Sequence, residues 1–288
     1  MGTRDKDGVN LVIQKIKKQW IKFSFLALIT LTLLAWISLI PSLDFLFQKE
    51  YWLNFKIFSN NLLGFNKSSI AFLSKKKWLI ALEETLETLK MSLLAITIAT
   101  FIALPFALLT ARNYAFGSLT LHTSKPKRLL YYVTRFIVLV FRSVPEVMWA
   151  MIFIYLFKPG ILPGALALGI HNAGVLSKLI SELIEEINPK PIQQLVTQGA
   201  SLMTLQFYGF IPLLMAKTLT YILYRLDNIV RSSLIVGLVG AGGLGMQFRL
   251  AMSFFKYTHI TLYLMCYLLL VFLIDGISNQ LKRLIRFI

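Results

Sequence analysis

Runs of apolar residues long enough to cross a lipid bilayer recur along this chain and constrain its fold more than any other feature. A hydrocarbon core of about 30 Å is crossed by about 20 residues of α-helix. Six segments meet this requirement: residues 23–43, 86–110, 133–157, 161–183, 208–227 and 258–278. Backbone groups in lipid must pair within their own segment, so these lengths predict helices rather than barrel strands. We therefore expect an all-α, polytopic membrane protein with about six transmembrane helices.

The composition supports this class. Hydrophobic residues make up 57% of the chain and charged residues 15%, against about 45–50% and about 25% in soluble domains. The net charge of +17 could suggest nucleic-acid binding. Many of the cations, however, lie at the ends of apolar runs, where Lys and Arg fix the orientation of a membrane protein. We expect contact with membrane lipid and no nucleic-acid partner.

The loop charges predict a topology. The N-terminal arm, the 111–130 loop and the C-terminus with Lys282, Arg283 and Arg286 are all basic. A six-span topology places all three on the cytoplasmic side, together with residues 184–207. We divide the chain into residues 1–82, comprising the arm, an uncleaved first span and an outer loop at 44–82, and a core at 83–288.

A seventh apolar stretch, residues 229–256, is interrupted by Arg231, Gly240, Gly242, Gly245 and other breakers. It is expected to form a partial or re-entrant helix buried in protein. Its glycines match the dinucleotide pattern G-x-G-x-x-G, but that function also needs a βαβ unit and an acidic residue about 20 positions later. Asp275 is the first carboxylate downstream. We interpret the glycines as sites of close helix approach or backbone turning.

We find no sequence motif for ATP binding, catalysis or metal binding. The chain has no phosphate-binding G-x-x-x-x-G-K-[ST] loop, so it is not its own ATPase. Its single cysteine, Cys266, lies in an apolar run, and His122, His171 and His259 lack metal-ligand spacing. We predict no catalytic residue, metal or cofactor.

A polar island at 184–212 separates two of the apolar runs. Pro189 and Pro191 favour a helix start, and helical spacing predicts one apolar face. That face would comprise Ile192, Leu195, Val196, Gly199, Leu202 and Met203. A helix at about 189–206 lying on the cytoplasmic surface would suit a cleft in another protein. Spacing equally allows an interfacial helix without a partner.

This island resembles the coupling-helix signature of ABC-importer permeases. Gly199 and Pro212 hold their positions, whereas Gln193, Gln194 and Leu195 stand where Glu-Ala-Ala is usual. The resemblance implies a type I importer fold and contacts with cytoplasmic ABC ATPase subunits. The implied contact residues are Gln193, Gln194, Gly199, Ala200, Ser201 and Pro212.

A narrower resemblance, to phosphonate-type permeases, covers most of residues 83–278. It is carried by Arg142-Ser-Val-Pro-Glu146, His171-Asn172-Ala-Gly-Val-Leu, and the glycine run from Gly237 to Gly245. It implies a homodimer in the bacterial inner membrane with a cytoplasmic ATPase and an extracytoplasmic phosphonate-binding protein. The implied solute is a phosphonate or a related phosphorus oxyanion, such as phosphite or phosphate.

Ionisable residues within the apolar runs have two interpretations. Arg142 with Glu146, and Lys178 with Glu182, are spaced for pairing along one helix face. Alternatively, Arg142, Arg231 and His171 provide a positive path for an anion. With Glu146, Asn172 and the glycines at 240, 242 and 245, these three residues are our translocation-pathway candidates.

Other functions stay open at this stage. A permease for methionine or another small solute would share the glycine run and the coupling loop. An ATP-independent secondary transporter would show inverted repeats and a midplane ion site, which we do not find. A membrane enzyme would need a nucleophile–base pair or a metal site.

Overall fold

The computed structural model of the chain describes residues 4–39, 48–65, 70–117 and 124–285, and within them every regular element is a helix. The α-helices are α1 (Arg4–Leu39), α2 (Lys49–Leu63), α3 (Lys75–Thr110), α4 (Arg112–Ala115), α5 (Lys125–Ser143), α6 (Glu146–Phe157), α7 (Ile161–Glu185), α8 (Pro189–Thr197), α9 (Leu202–Thr204), α10 (Ile211–Val236), α11 (Gly243–Ser253) and α12 (Tyr257–Ile285). A 3₁₀ turn covers Ala71–Leu73, and π-helical turns cover Leu205–Phe210 and Gly237–Ala241. The all-α prediction is confirmed.

The chain forms two compact units, Met1–Asn60 and Asn61–Ile288. The first contains α1, whose segment Lys18–Leu39 is long and apolar enough to span a membrane and has no residue of its most apolar window buried. Full exposure of apolar side chains suits a helix that faces lipid. The predicted first span, 23–43, coincides with this segment up to Leu39, and residues 40–43 lie outside the described residues.

Several helices of the second unit qualify as spans. Lys75–Thr110 and Tyr257–Ile285 do so as single helices. Two bent pairs qualify if each is taken as one span, namely Lys125–Ser143 with Glu146–Phe157 and Pro212–Ala241 with Gly243–Ser253. With α1, this gives three to five spans among the described residues.

The predicted span 161–183 forms the 25-residue helix α7 but is not among those that qualify by composition. It packs against α3, α5, α6 and α10. A helix enclosed by protein on several sides can carry polar residues that a lipid-facing helix cannot. This placement explains how α7 accommodates His171, Asn172 and Lys178.

Three predicted boundaries are wrong. The 133–157 span is not one helix, because α5 ends at Ser143 and α6 runs at 92° to it beyond Pro145. Much of the predicted 44–82 loop is helical: α2 lies within it, and α3 starts at Lys75 rather than near residue 86. The Lys, Glu and Leu residues of this segment are good helix formers, although its Lys and Glu residues lower the hydropathy.

The third wrong boundary concerns 229–256. Residues 229–236 continue α10, and the break falls later, in the π-helical turn Gly237–Ala241. Gly240 and Gly242 have φ values of +116° and +88° there, which favour glycine strongly. The predicted interruption at the glycines is confirmed, with a bend of 59°.

The main core forms where α3 and α7 pack along each other. Ala95, Ala99, Ala103 and Ala107 recur every fourth residue on α3, and all are fully buried. Small residues on one helix face let two backbones approach closely, which is how membrane helices gain packing energy.

Polar contacts close one end of the second unit. The backbone N–H of Arg112 donates to Glu185 Oε1 at 2.8 Å, and Asn113 Nδ2 donates to the Ile184 carbonyl at 2.6 Å. Tyr114 is buried nearby, and burial raises the pKa of its phenol above the ordinary value. These bonds join α4, directly after α3, to the C-terminal end of α7, after which the chain enters α8.

Candidate coupling and translocation site

Helix α8 starts where the sequence predicts. Asn188 caps it, its side-chain oxygen accepting a hydrogen bond from the backbone N–H of Lys190 at 3.2 Å. Pro189 occupies the first helical position, where its missing N–H costs nothing and its fixed φ suits the helix. The cap and the proline together fix the N-terminus of this nine-residue helix.

One face of α8 is packed onto the bundle. Ile192 is fully buried, and Leu195 and Val196 are half-buried against the main core. Gly209 lies beneath the helix, where an added Cβ would come within 2.8 Å of Ile192 Cδ1. The absence of a side chain at Gly209 thus allows α8 to seat closely. Gln193 is half-buried, and Gln194 and Gln198 are exposed.

The C-terminus of α8 is set by Gly199, earlier than the predicted residue 206. The backbone N–H of Gly199 donates to the Val196 carbonyl and that of Ala200 to the Leu195 carbonyl, each at 3.0 Å. With φ of +83° at Gly199, this is the Schellman arrangement, which satisfies the last carbonyls of a helix. The predicted apolar face therefore ends at Val196, and Met203 is largely exposed beyond it.

The chain then turns toward α10. Ser201 starts the next helical turn, since its Oγ accepts from the backbone N–H of Thr204 at 3.2 Å. Pro212 lies in the first turn of α10 and is exposed. The residues predicted for coupling, Gln193 to Ser201, thus lie along one short segment, with Pro212 after the π-helical turn.

A polar group lies where α5 and α6 meet α7. His171 Nδ1 lies 3.0 Å from the Val144 carbonyl, so this nitrogen must donate. His171 Nε2 lies 3.9 Å from Glu146 Oε2, in the first turn of α6. The bend at Pro145 exposes the Val144 carbonyl, and the histidine of the neighbouring helix satisfies it.

Asn172 adds α10 to this group. Its side chain is fully buried, and its Nδ2 donates to the Leu168 carbonyl at 2.7 Å. Its Oδ1 accepts from Arg225 Nε at 2.8 Å and from Arg225 Nη2. Glu146 acts electrostatically on the same guanidinium. The structure therefore brings Glu146, His171 and Asn172 together around a fourth residue, Arg225.

The other predicted pathway residues lie apart from this group. Arg142 is exposed, and the predicted pair between Arg142 and Glu146 does not form because the 92° bend separates them. The pair between Lys178 and Glu182 is confirmed, at 2.9 Å. Arg231 Nη2 donates to both carboxylate oxygens of Asp275 at 2.8 and 2.9 Å, so its charge is balanced.

The glycine break packs against α3. Thr88 Oγ1 accepts a hydrogen bond from the backbone N–H of Leu244 at 2.9 Å, and Gln247 Nε2 donates to Glu84 Oε1 at 2.8 Å. Gly240, Gly242 and Gly245 therefore shape a helix joint held by α3. This agrees with close helix approach and backbone turning, and the described residues offer no βαβ unit for a dinucleotide.

Sequence reasoning did not identify two partners of the candidate residues, Arg225 beside Asn172 and Asp275 beside Arg231. Both were visible as ionisable residues inside apolar runs, which generally face protein, water or an opposite charge. Asp275 in particular is the single carboxylate of α12 and directly follows a long apolar run, and that position was a signal that it needs a cationic neighbour.

The fold and this site define a polytopic, all-helical membrane transport subunit with a short amphipathic helix mounted on one end. Residues 103–287 match the family of binding-protein-dependent transport system inner membrane components. The chain belongs to this family.

Two transport permeases are similar to this chain in sequence. The phosphite transport system permease protein PtxC of Stutzerimonas stutzeri is 31% identical over 198 residues, which are 69% of this chain and 68% of that protein. The putative cryptic phosphonate transport system permease protein PhnE2 of Escherichia coli (strain K12) is 38% identical over 118 residues, 41% of this chain and 97% of that one.

A solved structure shares the fold. The MetNI methionine ABC transporter, in an inward-facing conformation, gives a TM-score of 0.63 at 21% sequence identity. The match covers 74% of this chain and 99% of that chain. The predicted ABC-importer permease architecture is confirmed.

Proposed function

We propose that this chain is the permease subunit of an ABC importer that carries phosphite, a phosphonate or a related phosphorus oxyanion across the bacterial inner membrane. The observation that carries the proposal is the similarity to phosphite and phosphonate transport permeases, which extends over 198 residues in the first and 118 in the second. The subunit works as a homodimer with cytoplasmic ATPase subunits and an extracytoplasmic binding protein.

The proposed coupling element is α8. Its buried Ile192 fixes it to the core, while Gln194 and Gln198 on its other side are free of that core and available to an ATPase. Leu214 of α10 and Leu183 of α7 belong to the same core as Ile192. A displacement of α8 by closing ATPase subunits would therefore reach α7 and α10 directly.

The solute assignment rests on the curated relatives. Similarity to the methionine transporter is at 21% identity and supports the fold alone. A methionine permease is therefore the alternative to test in the same assay rather than a second proposal.

The test is solute uptake by the complete importer in proteoliposomes. With a cytoplasmic ATPase and an extracytoplasmic binding protein reconstituted alongside this chain, we expect ATP-dependent accumulation of labelled phosphite or methylphosphonate and none of methionine. Vesicles without ATP, or with this chain alone, should accumulate nothing. Methionine uptake without phosphite, methylphosphonate or phosphate uptake would refute the solute class, and equal uptake without ATP would refute the importer.

A further inference from the structure

Three arginines recur at intervals of seven residues on α5: Arg128, Arg135 and Arg142. Seven residues are just under two helical turns and rise about 10 Å, so the three side chains follow one stripe along the helix. All three are exposed, and Tyr131, Thr134 and Val138, which border the stripe on one side, are buried. We call Arg128, Arg135 and Arg142 the arginine stripe.

Aromatic rings contact Arg128 and Arg135 of the arginine stripe. The Cζ atom of Arg128 lies 5.4 Å from the centroid of the Phe116 ring, and that of Arg135 lies 5.3 Å from the Tyr131 ring. The Tyr131 hydroxyl also accepts a hydrogen bond from Arg135. A cation–π contact orients a guanidinium without cancelling its charge. The stripe is thus positioned by neighbours that leave it positive.

A cavity of about 160 Å³ opens beside Arg135 and Arg142, between α5 and α7. Arg135, Arg142 and Lys178 line it, with hydroxyl groups from Tyr132 and Ser181, and none of its lining residues is acidic. Lys178 is paired with Glu182. Within the described residues, neither arginine forms an ion pair with a carboxylate.

A charged side chain within the membrane region, such as that of Arg142, needs a partner. Arg142 is at the end of α5 next to the Pro145 bend, about 20 Å along the helix axis from Arg128. Ionisable groups within a membrane face protein, water or an opposite charge because lipid solvates them poorly. An exposed guanidinium that lacks a carboxylate therefore indicates a wet space in which an anion can be held, with two phosphoryl oxygens matching its fork of donors.

We infer that the arginine stripe and Lys178 form the cytoplasmic part of an anion path, with a transient oxyanion site at Arg135 and Arg142. The inference rests on the proposed function and names residues that serve it. Several weak sites in series let an anion enter and leave again, which one tight site would prevent. The same phosphoryl chemistry could be supplied by a lipid headgroup, so the test must separate the two sources.

The test measures the charge preference of the path with a reporter thiol. Leu139 is 45% exposed and lines the cavity. Leu139→Cys in a Cys266→Ala background is labelled, in the assembled importer, with anionic, cationic and neutral methanethiosulfonates, the neutral reagent correcting for thiol reactivity. A positive cleft raises the encounter rate of anions by at least about tenfold. We expect that preference for the anionic reagent, and its loss in Arg135→Gln and Arg142→Gln.

Matched controls separate charge from folding. Arg142→Lys should keep most of the preference, and Arg283→Gln, the same change in the last turn of α12, should leave it unchanged. A reporter at Leu219 in the apolar groove between α3, α7 and α10 should show no anion preference, since no cation lines that groove. Equal labelling by both charged reagents at Leu139→Cys, or no labelling at all, would overturn the inference.

Protection of the reporter thiol distinguishes a free oxyanion from a lipid headgroup. Protection of Leu139→Cys by phosphite or methylphosphonate identifies a free oxyanion as the ligand. Protection that instead depends on anionic lipid in the vesicles, with none by the free oxyanions, would overturn the passage and indicate a headgroup site. Labelling requires no transported solute, so failure of uptake would count against the proposed function while the charge preference is read independently.

Discussion

Asn172 shows how a single amide organises the polar group of the membrane interior. It is fully buried on α7, donates to its own helix and accepts two hydrogen bonds from Arg225 of α10. Because the Asn172 amide is neutral, it does not cancel the charge of the Arg225 guanidinium. Glu146 of α6 also interacts electrostatically with that guanidinium. The side chain of Asn172 thereby ties α7 to α10.

Replacing this amide should destabilise the protein. Asn172→Ala leaves Arg225 without its hydrogen-bond partner in a half-buried position, which costs about 1–3 kcal/mol. We expect a lower apparent melting temperature of the detergent-solubilised importer, measured by fluorescence. Asn228→Ala serves as control because the Asn228 amide donates within its own helix, to the Tyr224 carbonyl.

A double variant distinguishes pairing from packing. If the cost arises from an unsatisfied guanidinium, Asn172→Leu combined with Arg225→Met should lose less stability than the two single changes added together. Additive losses would contradict the pairing and leave only a packing role for Asn172.

At the scale of elements, the helix ends carry the functional information. Gly199 stops α8 with two backbone bonds and a positive φ. Its own surroundings are open, since an added Cβ would meet nothing within 4 Å. A change at Gly199 therefore alters the conformation of the α8 terminus without disturbing the core.

Gly199→Val should uncouple ATP hydrolysis from transport. A β-branched residue in the left-handed region costs about 1–2 kcal/mol, so the α8 terminus would leave its native conformation. We expect solute transported per ATP hydrolysed to fall about fivefold, the factor that about 1 kcal/mol represents, with little change in thermal stability. Gly199→Asn should retain more coupling because Asn tolerates this conformation.

The control for this change is Gly276→Val. An added Cβ at Gly276 would also meet nothing within 4 Å, but this glycine lies within α12 at an ordinary helical φ. The variant should transport normally. Wild-type coupling in Gly199→Val would remove α8 from the proposed mechanism.

The sequence predicts the elements better than their joints. Pro189 and Pro191 locate the start of α8, and Gly199 could have located its end through the preference of glycine for helix C-termini. Pro145 signals a kink, yet a proline does not specify the 92° angle, which depends on the packing of α6 and α7. The pairing of Arg231 with Asp275 joins residues 44 positions apart and depends on which helices become neighbours.

At the scale of the whole molecule, the helices of the second unit begin and end at two opposite ends of that unit. The junction of Arg112 with Glu185 lies at one end, near the start of α8. The hydrogen bond between Thr88 and Leu244 lies toward the opposite end. Apolar runs alone predicted this alternation, whereas the enclosed position of α7 could not be read from composition, because a central helix and a surface helix can be equally long.

This arrangement, with the proposed cytoplasmic position of α8, predicts opposite labelling of two exposed sites. In a Cys266→Ala background, Gln198→Cys should react with an impermeant maleimide only after the inner membrane is opened. Phe255→Cys, in the turn between α11 and α12, should react in intact spheroplasts. The reverse pattern would invert the proposed topology, and both termini would then be extracytoplasmic.

Helices α10 and α12 are fastened to each other twice, by Arg231 with Asp275 and by Lys282 with the buried Asp227, whose carboxylate also accepts from Ser278. Sliding one helix past the other would strand Asp227 in the interior, and losing one partner of a buried ion pair costs about 3–5 kcal/mol. The two helices are therefore expected to move together as one rigid body during any opening of the bundle. We expect that movement to pivot at the kink formed by Gly240 and Gly242, where α10 ends and α11 begins.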